Sequence, residues 1–385
     1  MRFSKALVIL FLLIPISSSA QEYTLMVDKF YSPHAGASFA TFILDAYKEL
    51  TPELTEKKWY TRLLALTAES QVSSFMIIMQ HEVFGHGYRL RSGGPFLIGY
   101  LIEPPYRGAT YYMPIFSDTI PLIEEITIAM GGMEATETLA ESIKVNAIKQ
   151  QTVDSRSSSL YLKSKLDKML YIQSEQDSIF IGGHDIQNYT NHVNTWHETE
   201  VINVNRLKKN SCLELLDPFI YQSVYRQIDY LFGGSKQARM PFIYYKNYTV
   251  LPSARLNLAP WGIEQQIEAY VLEDNERLYK PSISYGKNNL VKSFGINLSI
   301  DPIYKVKDSI FSMRISLWRQ PDLFQKVLSS NYLKKTGGAI FTKAEYKVSS
   351  AAGIVAEVGY KSEGYLIAEP LLAEAIWRIG IKLYI

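Results

Sequence analysis

The sequence predicts an α+β fold, a mostly helical N-terminal domain followed by a C-terminal antiparallel β-barrel of roughly eight strands. Two observations predict the halves. Apolar residues recur at helical spacing up to about residue 232, as with Leu63, Leu64, Leu66, Val72, Phe75, Met76 and Met79. From about Ala254 the period becomes two, as in Phe294, Ile296, Leu298 and Ile300 against Gly295, Asn297 and Ser299. A third observation, at the start of the chain, bears on where such a barrel sits. Arg2 and Lys5, the apolar run Ala6 to Ile16 and the small residues Ser17 to Ala20 have the form of a secretory signal.

In chain order, residues 1–20 read as that signal and 21–240 as the helical domain. Helices are expected over Ala35 to Lys48 and Leu54 to Arg91, the latter stopped by Gly93-Gly94-Pro95. Phe96 to Ile102 and Ala109 to Phe116 form a hairpin. A helix from near Ile123 to Gln150 is interrupted at Gly131-Gly132, and further helices cover Leu160 to Gln173, Asp185 to Glu200 and Pro218 to Phe232. Residues 241–385 then hold the strands, among them Phe311 to Leu317, Ile340 to Val348, Ile354 to Tyr360 and Trp377 to Ile385.

Strands with one apolar and one polar face resemble those of an outer-membrane barrel, and 27 Tyr residues suit the rims of one. Export and the alternation together place the protein in the outer membrane or periplasm of a Gram-negative cell, with membrane lipid as a partner. A soluble antiparallel barrel or sandwich alternates in the same way. The net charge of +2 leaves no footprint for nucleic acid. Cys212 is the single cysteine and cannot form an internal disulfide.

Chemistry concentrates at His81-Glu82-Val83-Phe84-Gly85-His86. Two neutral imidazoles bind Zn²⁺, and a carboxylate beside the first can take a proton from water. The usual helical form is H-E-x-x-H; here one residue is added, so on an ideal helix His86 lies roughly 140° around from His81. Gly85 is where a π-bulge or an overwound turn can absorb the extra residue. A catalytic zinc needs a third protein ligand. Glu134, Glu137 and Glu141 stand at i, i+3 and i+7 on a later helix, and three stacked carboxylates call for cations opposite them.

His81 to His86 resembles the H-E-x-x-G-H motif of the dipeptidyl peptidase III family of zinc peptidases. Thr136-Glu137-Thr138-Leu139-Ala140-Glu141 is similar to that family's second motif, with Thr136 in place of its first Glu. The resemblance implies His81, His86 and Glu137 as zinc ligands and Glu141 behind a histidine. Glu82 is the expected general base and Glu134 the reserve ligand. The expected activity is hydrolysis of a peptide or protein substrate by zinc-activated water, tethered to the membrane by the barrel. The alternative is a barrel protein whose helical domain binds or assembles partners around a vestigial metal site. His184, His192, His197 or a tyrosine is expected to stabilise an oxyanion. Tyr111, Tyr112 and Phe96 to Tyr100 could line a substrate cleft as an edge strand.

Overall fold

The computed structural model describes residues 22–51, 58–93, 96–105, 107–113, 121–175, 184–234, 237–274, 276–324 and 333–384. The signal-like segment lies outside them.

The chain begins with strand β1 (Glu22–Asp28). Helix α1 (Pro33–Leu50) follows, started by Pro33 and by Ser32, whose hydroxyl accepts from the Ala35 N–H. Helix α2 (Trp59–His81) runs without a break into a π-helical turn over Glu82–His86 and then into α3 (Gly87–Gly93). The hairpin β2 (Phe96–Glu103) and β3 (Arg107–Met113) comes next. Helix α4 (Leu122–Gln150) is continuous, so Gly131-Gly132 do not interrupt it. They serve close approach instead: a Cβ on Gly85 would stand 2.6 Å from the Gly132 Cα, so the π turn and α4 touch backbone to backbone.

After β4 (Thr152–Asp154) comes α5 (Ser155–Ser174), N-capped by Asp154, which accepts from the Ser157 N–H at 2.8 Å. Helices α6 (Asp185–His197), α7 (Val204–Ser211) and α8 (Pro218–Phe232) complete the helical part, and Gly233 closes α8 at φ +98°. Helix α7, of eight residues, and the pair β4–β5 (Gln237–Arg239), of three residues each, are too short to be read from sequence.

The remaining strands are β6 (Ile243–Tyr245), β7 (Tyr248–Ala259), β8 (Gly262–Glu273), β9 (Arg277–Lys287), β10 (Lys292–Val306), β11 (Ser309–Pro321), β12 (Lys334–Lys347), β13 (Ala352–Lys361) and β14 (Glu374–Tyr384). They form an antiparallel meander to which β1 adds itself beside β14, with Val27 opposite Ile379. The order is β1-β14-β13-β12-β11-β10-β9-β8-β7-β6, ten strands.

This corrects the expected architecture. The helical region and the antiparallel sheet are present, but the sheet is open: among the described residues nothing pairs β1 with β6. Alternation specifies which residues share a face, not whether the two ends of a sheet meet. The outer-membrane placement and the lipid partnership, inferred from the export signal and the alternation, needed a closed barrel and are corrected with it. Among the described residues no helix is long and apolar enough to cross a membrane.

The sheet presents its polar face to the helices. On β8, Glu268 is buried at 3% exposure while its neighbour Ile267 is 70% exposed. Arg255, Asn257, Gln266, Ser282, Ser316 and Arg378 are likewise turned inward, while Ile283, Leu317, Ile340, Val358 and Trp377 are exposed. Helices and sheet are therefore joined by buried charge as well as by apolar packing. The apolar share comes from Leu139, Ile143, Tyr161 and Phe219 against Leu251, Tyr270, Leu272 and Leu278.

Candidate metal centre

The π turn solves the spacing problem posed by the extra residue. A turn closed by i→i+5 bonding takes in one more residue than an α turn, and the Gly87 N–H bonds the Glu82 carbonyl in this way. His81 and His86 consequently lie side by side, ring centroids 5.0 Å apart. Room for His81 depends on Gly132, where any Cβ would collide with its imidazole.

The third member of the group is Asp185, the first residue of α6. Its Oδ2 lies 3.1 Å from His81 Nε2 and 3.1 Å from His86 Nε2. Ligands at about 2.0–2.1 Å around a tetrahedral ion stand about 3.3 Å from one another, so this spacing fits a shared divalent cation. His81, His86 and Asp185 are the group that could hold one among the described residues.

The outer nitrogens are also fixed. His86 Nδ1 is 2.6 Å from the Ile128 carbonyl oxygen, which can only accept, so Nδ1 carries the proton. His81 Nδ1 is 3.2 Å from Asp167 Oδ2, which also accepts from the Thr136 hydroxyl at 3.0 Å. In their neutral forms both rings therefore have their Nε2 lone pairs at the common point, the orientation that metal-binding histidines usually receive from carboxylates and carbonyls.

Charge at the centre is one-sided. Among the described residues no Lys or Arg forms an ion pair with Glu82, Asp167 or Asp185. Burial alone would push the His81 imidazole down, but its bonds to Asp167 and Asp185 hold it well above its ordinary value. Burial also opposes charge on His86, and Asp185 more than offsets it. Asp185, which burial would push up, is held well below the carboxylate range by the two histidines. Protons on the imidazoles stand where a metal cation would otherwise balance the acids.

Glu82 is buried beside the histidines and outside the ligand group. The Thr110 hydroxyl of β3 donates to its Oε2 at 2.7 Å. Tyr171 packs 6.1 Å from the His81 ring and hydrogen-bonds to the Asp185 backbone. His184 stacks on Tyr171 at 6.2 Å.

The acidic face of α4 has a different role from the one expected. Glu137 is bound by Lys165 at 2.6 Å and Lys168 at 3.1 Å, with Arg255 at 3.6 Å. Burial would raise its pKa, but these cations hold the carboxyl well below the usual range. Glu134 is bound by Arg89 Nη2 at 2.6 Å and Nε at 3.0 Å. Glu141 pairs with Lys280 and accepts from Tyr270 at 2.5 Å. The cations required by the stacked carboxylates are thus protein side chains. The third position of the metal group belongs to Asp185, 104 residues after His81, rather than to Glu137.

The other histidines lie elsewhere. His192 faces Glu125 at 3.4 Å, His197 the Trp261 carbonyl at 3.0 Å and His34 Glu369 at 3.3 Å. Sequence reasoning missed Asp167 and Asp185. Neither has a diagnostic spacing to the histidines; the one local sign is that Asp185 opens a helix after Gly182-Gly183-His184.

No family model, curated protein or solved structure matches the chain. The resemblance to the dipeptidyl peptidase III family is therefore corrected. Its second motif, carried here by Glu137 and Glu141, is absorbed into ion pairs, and no family model supports it. The membrane-tethered peptidase built on that ligand set and a closed barrel falls with them. What stands is a two-histidine, one-aspartate group able to coordinate a divalent metal.

Proposed function

We propose that the protein is a zinc-dependent hydrolase acting on peptide bonds, with His81, His86 and Asp185 as ligands and Glu82 as general base. The observation that carries the reading is the convergence of both Nε2 atoms on Asp185 Oδ2 at 3.1 Å, with Glu82 beside them but not among them. Held by His81, His86 and Asp185, a zinc ion would supply a Lewis acid for a carbonyl and lower the pKa of water to about 7. Glu82 would take a proton from the attacking water and return it to the leaving amine. Asp167 and the Ile128 carbonyl hold the rings in the tautomer that ligation needs. A two-histidine, one-carboxylate set also serves non-haem iron. The carboxylate of Glu82, outside the ligand group and suited to moving a proton, favours hydrolysis and zinc.

The test is Glu82→Gln in the zinc-loaded protein, with fluorescein-labelled casein as probe. Hydrolysis falls by about 10²-fold or more while bound zinc is unchanged. Undiminished hydrolysis by the variant, or none by the parent, overturns the reading.

A further inference from the structure

We infer that Thr110 is the positioning residue that orients Glu82 and keeps its carboxylate out of the metal's coordination shell, an inference that rests on the role proposed for Glu82. Thr110 Oγ1 is 2.7 Å from Glu82 Oε2 and 3.1 Å from the Glu82 carbonyl oxygen. A hydroxyl has one proton, and the shorter contact to an anionic acceptor takes it. Two residues earlier on the same face of β3 is Gly108, where a Cβ would stand 2.6 Å from Glu82 Oε1 and 2.7 Å from Cγ. One strand therefore presents a donor to one carboxylate oxygen and, at Gly108, a position without a side chain that makes room for the other. Oε2 is anchored, and Oε1 packs against the side-chain-free Gly108.

The anchor matters because of what lies next to it. A buried carboxylate beside two imidazoles would be drawn to a divalent cation held by them, and would then act as a ligand rather than a base. The hydrogen bond from Thr110 opposes that rotation. The hairpin carrying Thr110 is in turn pinned to the π turn. Tyr100, opposite Thr110 in the β2–β3 register, accepts from Arg91 Nη1, and Arg91 Nη2 donates to the Val83 carbonyl at 2.7 Å. Metal ligands, base and hairpin thus form one connected unit.

The experiment compares Thr110→Val, Thr110→Ser, Glu82→Gln and the Thr110→Val/Glu82→Gln double variant, each as full chain. The readouts are casein hydrolysis with zinc and, at one fixed pH, the visible spectrum with cobalt(II) in its place. Thr110→Val is expected to keep stoichiometric metal and lose about 10²-fold in kcat with little change in KM. Its cobalt bands should change in intensity as Glu82 turns toward the ion. Thr110→Ser restores both, and in the Glu82→Gln background Thr110→Val adds nothing. A Thr110→Val protein with the parent's kcat and cobalt spectrum overturns the inference, as does an effect that persists undiminished in the double variant. If casein is not cleaved, or if Glu82→Gln cleaves it at the parent's rate, the hydrolase reading fails, and the cobalt spectra still decide whether Thr110 orients Glu82. Absence of bound metal sinks both.

Discussion

Two buried clusters of charge lie against helix α4, and they are built on opposite principles. Around Glu137 and Glu214 the acids are matched: Lys165 and Lys168 each bridge both carboxylates, at 2.5 to 3.1 Å. Around His81 and His86 the acids are unmatched, with Glu82, Asp167 and Asp185 facing two imidazoles that are neutral unless they take up protons. A balanced cluster is complete within the chain and binds the helices to the sheet. An unbalanced one has its charge completed from outside, by protons or by a metal. Buried acid therefore identifies a metal centre only when the cations around it have been counted, and the sequence resemblance had assigned the ligand to the balanced cluster.

The largest effect that sharpens this contrast is removal of a ligand. His86→Ala should abolish stoichiometric zinc in metal analysis, whereas Glu137→Gln should leave zinc in place. Glu137→Gln should instead lower stability in chemical denaturation by about 3 kcal/mol, since it leaves Glu214 alone to neutralise the buried Lys165 and Lys168. Zinc loss from Glu137→Gln with unchanged stability would reverse the assignment of the two clusters. Next comes Gly132→Ala, whose added methyl meets the His81 ring. It should cost about 1–3 kcal/mol and displace His81, weakening zinc binding as well. The smallest effect is that of Asp167→Asn, which keeps all three ligands but weakens the hold on His81. Zinc affinity should fall about 10–100-fold in competition with a chelator.

Acid should separate the clusters too. His81 and His86 have raised pKa values, so below those values protons occupy the nitrogens that a metal needs. Zinc content, measured after equilibration, should decline as pH falls through that range. Glu137, with its pKa held down, keeps its charge and its ion pairs through the same interval. The stability they supply is lost only when pH falls through that depressed value.

Much of this was legible in the sequence, unevenly and for physical reasons. The helices read well because apolar spacing is a local signal, and the excess residue before His86 identified Gly85 as the place where the helix had to adjust. The π turn over Glu82–His86 is that adjustment. Alternation along Phe294 to Ile300 and Phe311 to Leu317 gave the strands, because one face of each is inward and polar and the other exposed and apolar. It did not give closure, which depends on how the first and last strands meet. Nor could it show that β1 would pair with β14 from the far end of the chain. Asp185 and Asp167 were invisible because their relation to the histidines exists only in the packed state. Glu134, Glu137 and Glu141 looked like ligands because nothing local revealed Arg89, Lys165 or Lys280 opposite them.

The central claim is that the chain completes one cluster itself and leaves the other to a metal. Metal analysis of the gently purified full chain, beside its Asp185→Ala variant, tests it most directly. The account predicts about one zinc per chain in the parent and none retained by the variant. A parent that carries no zinc and takes up none on addition, or a variant that binds it as the parent does, would contradict it.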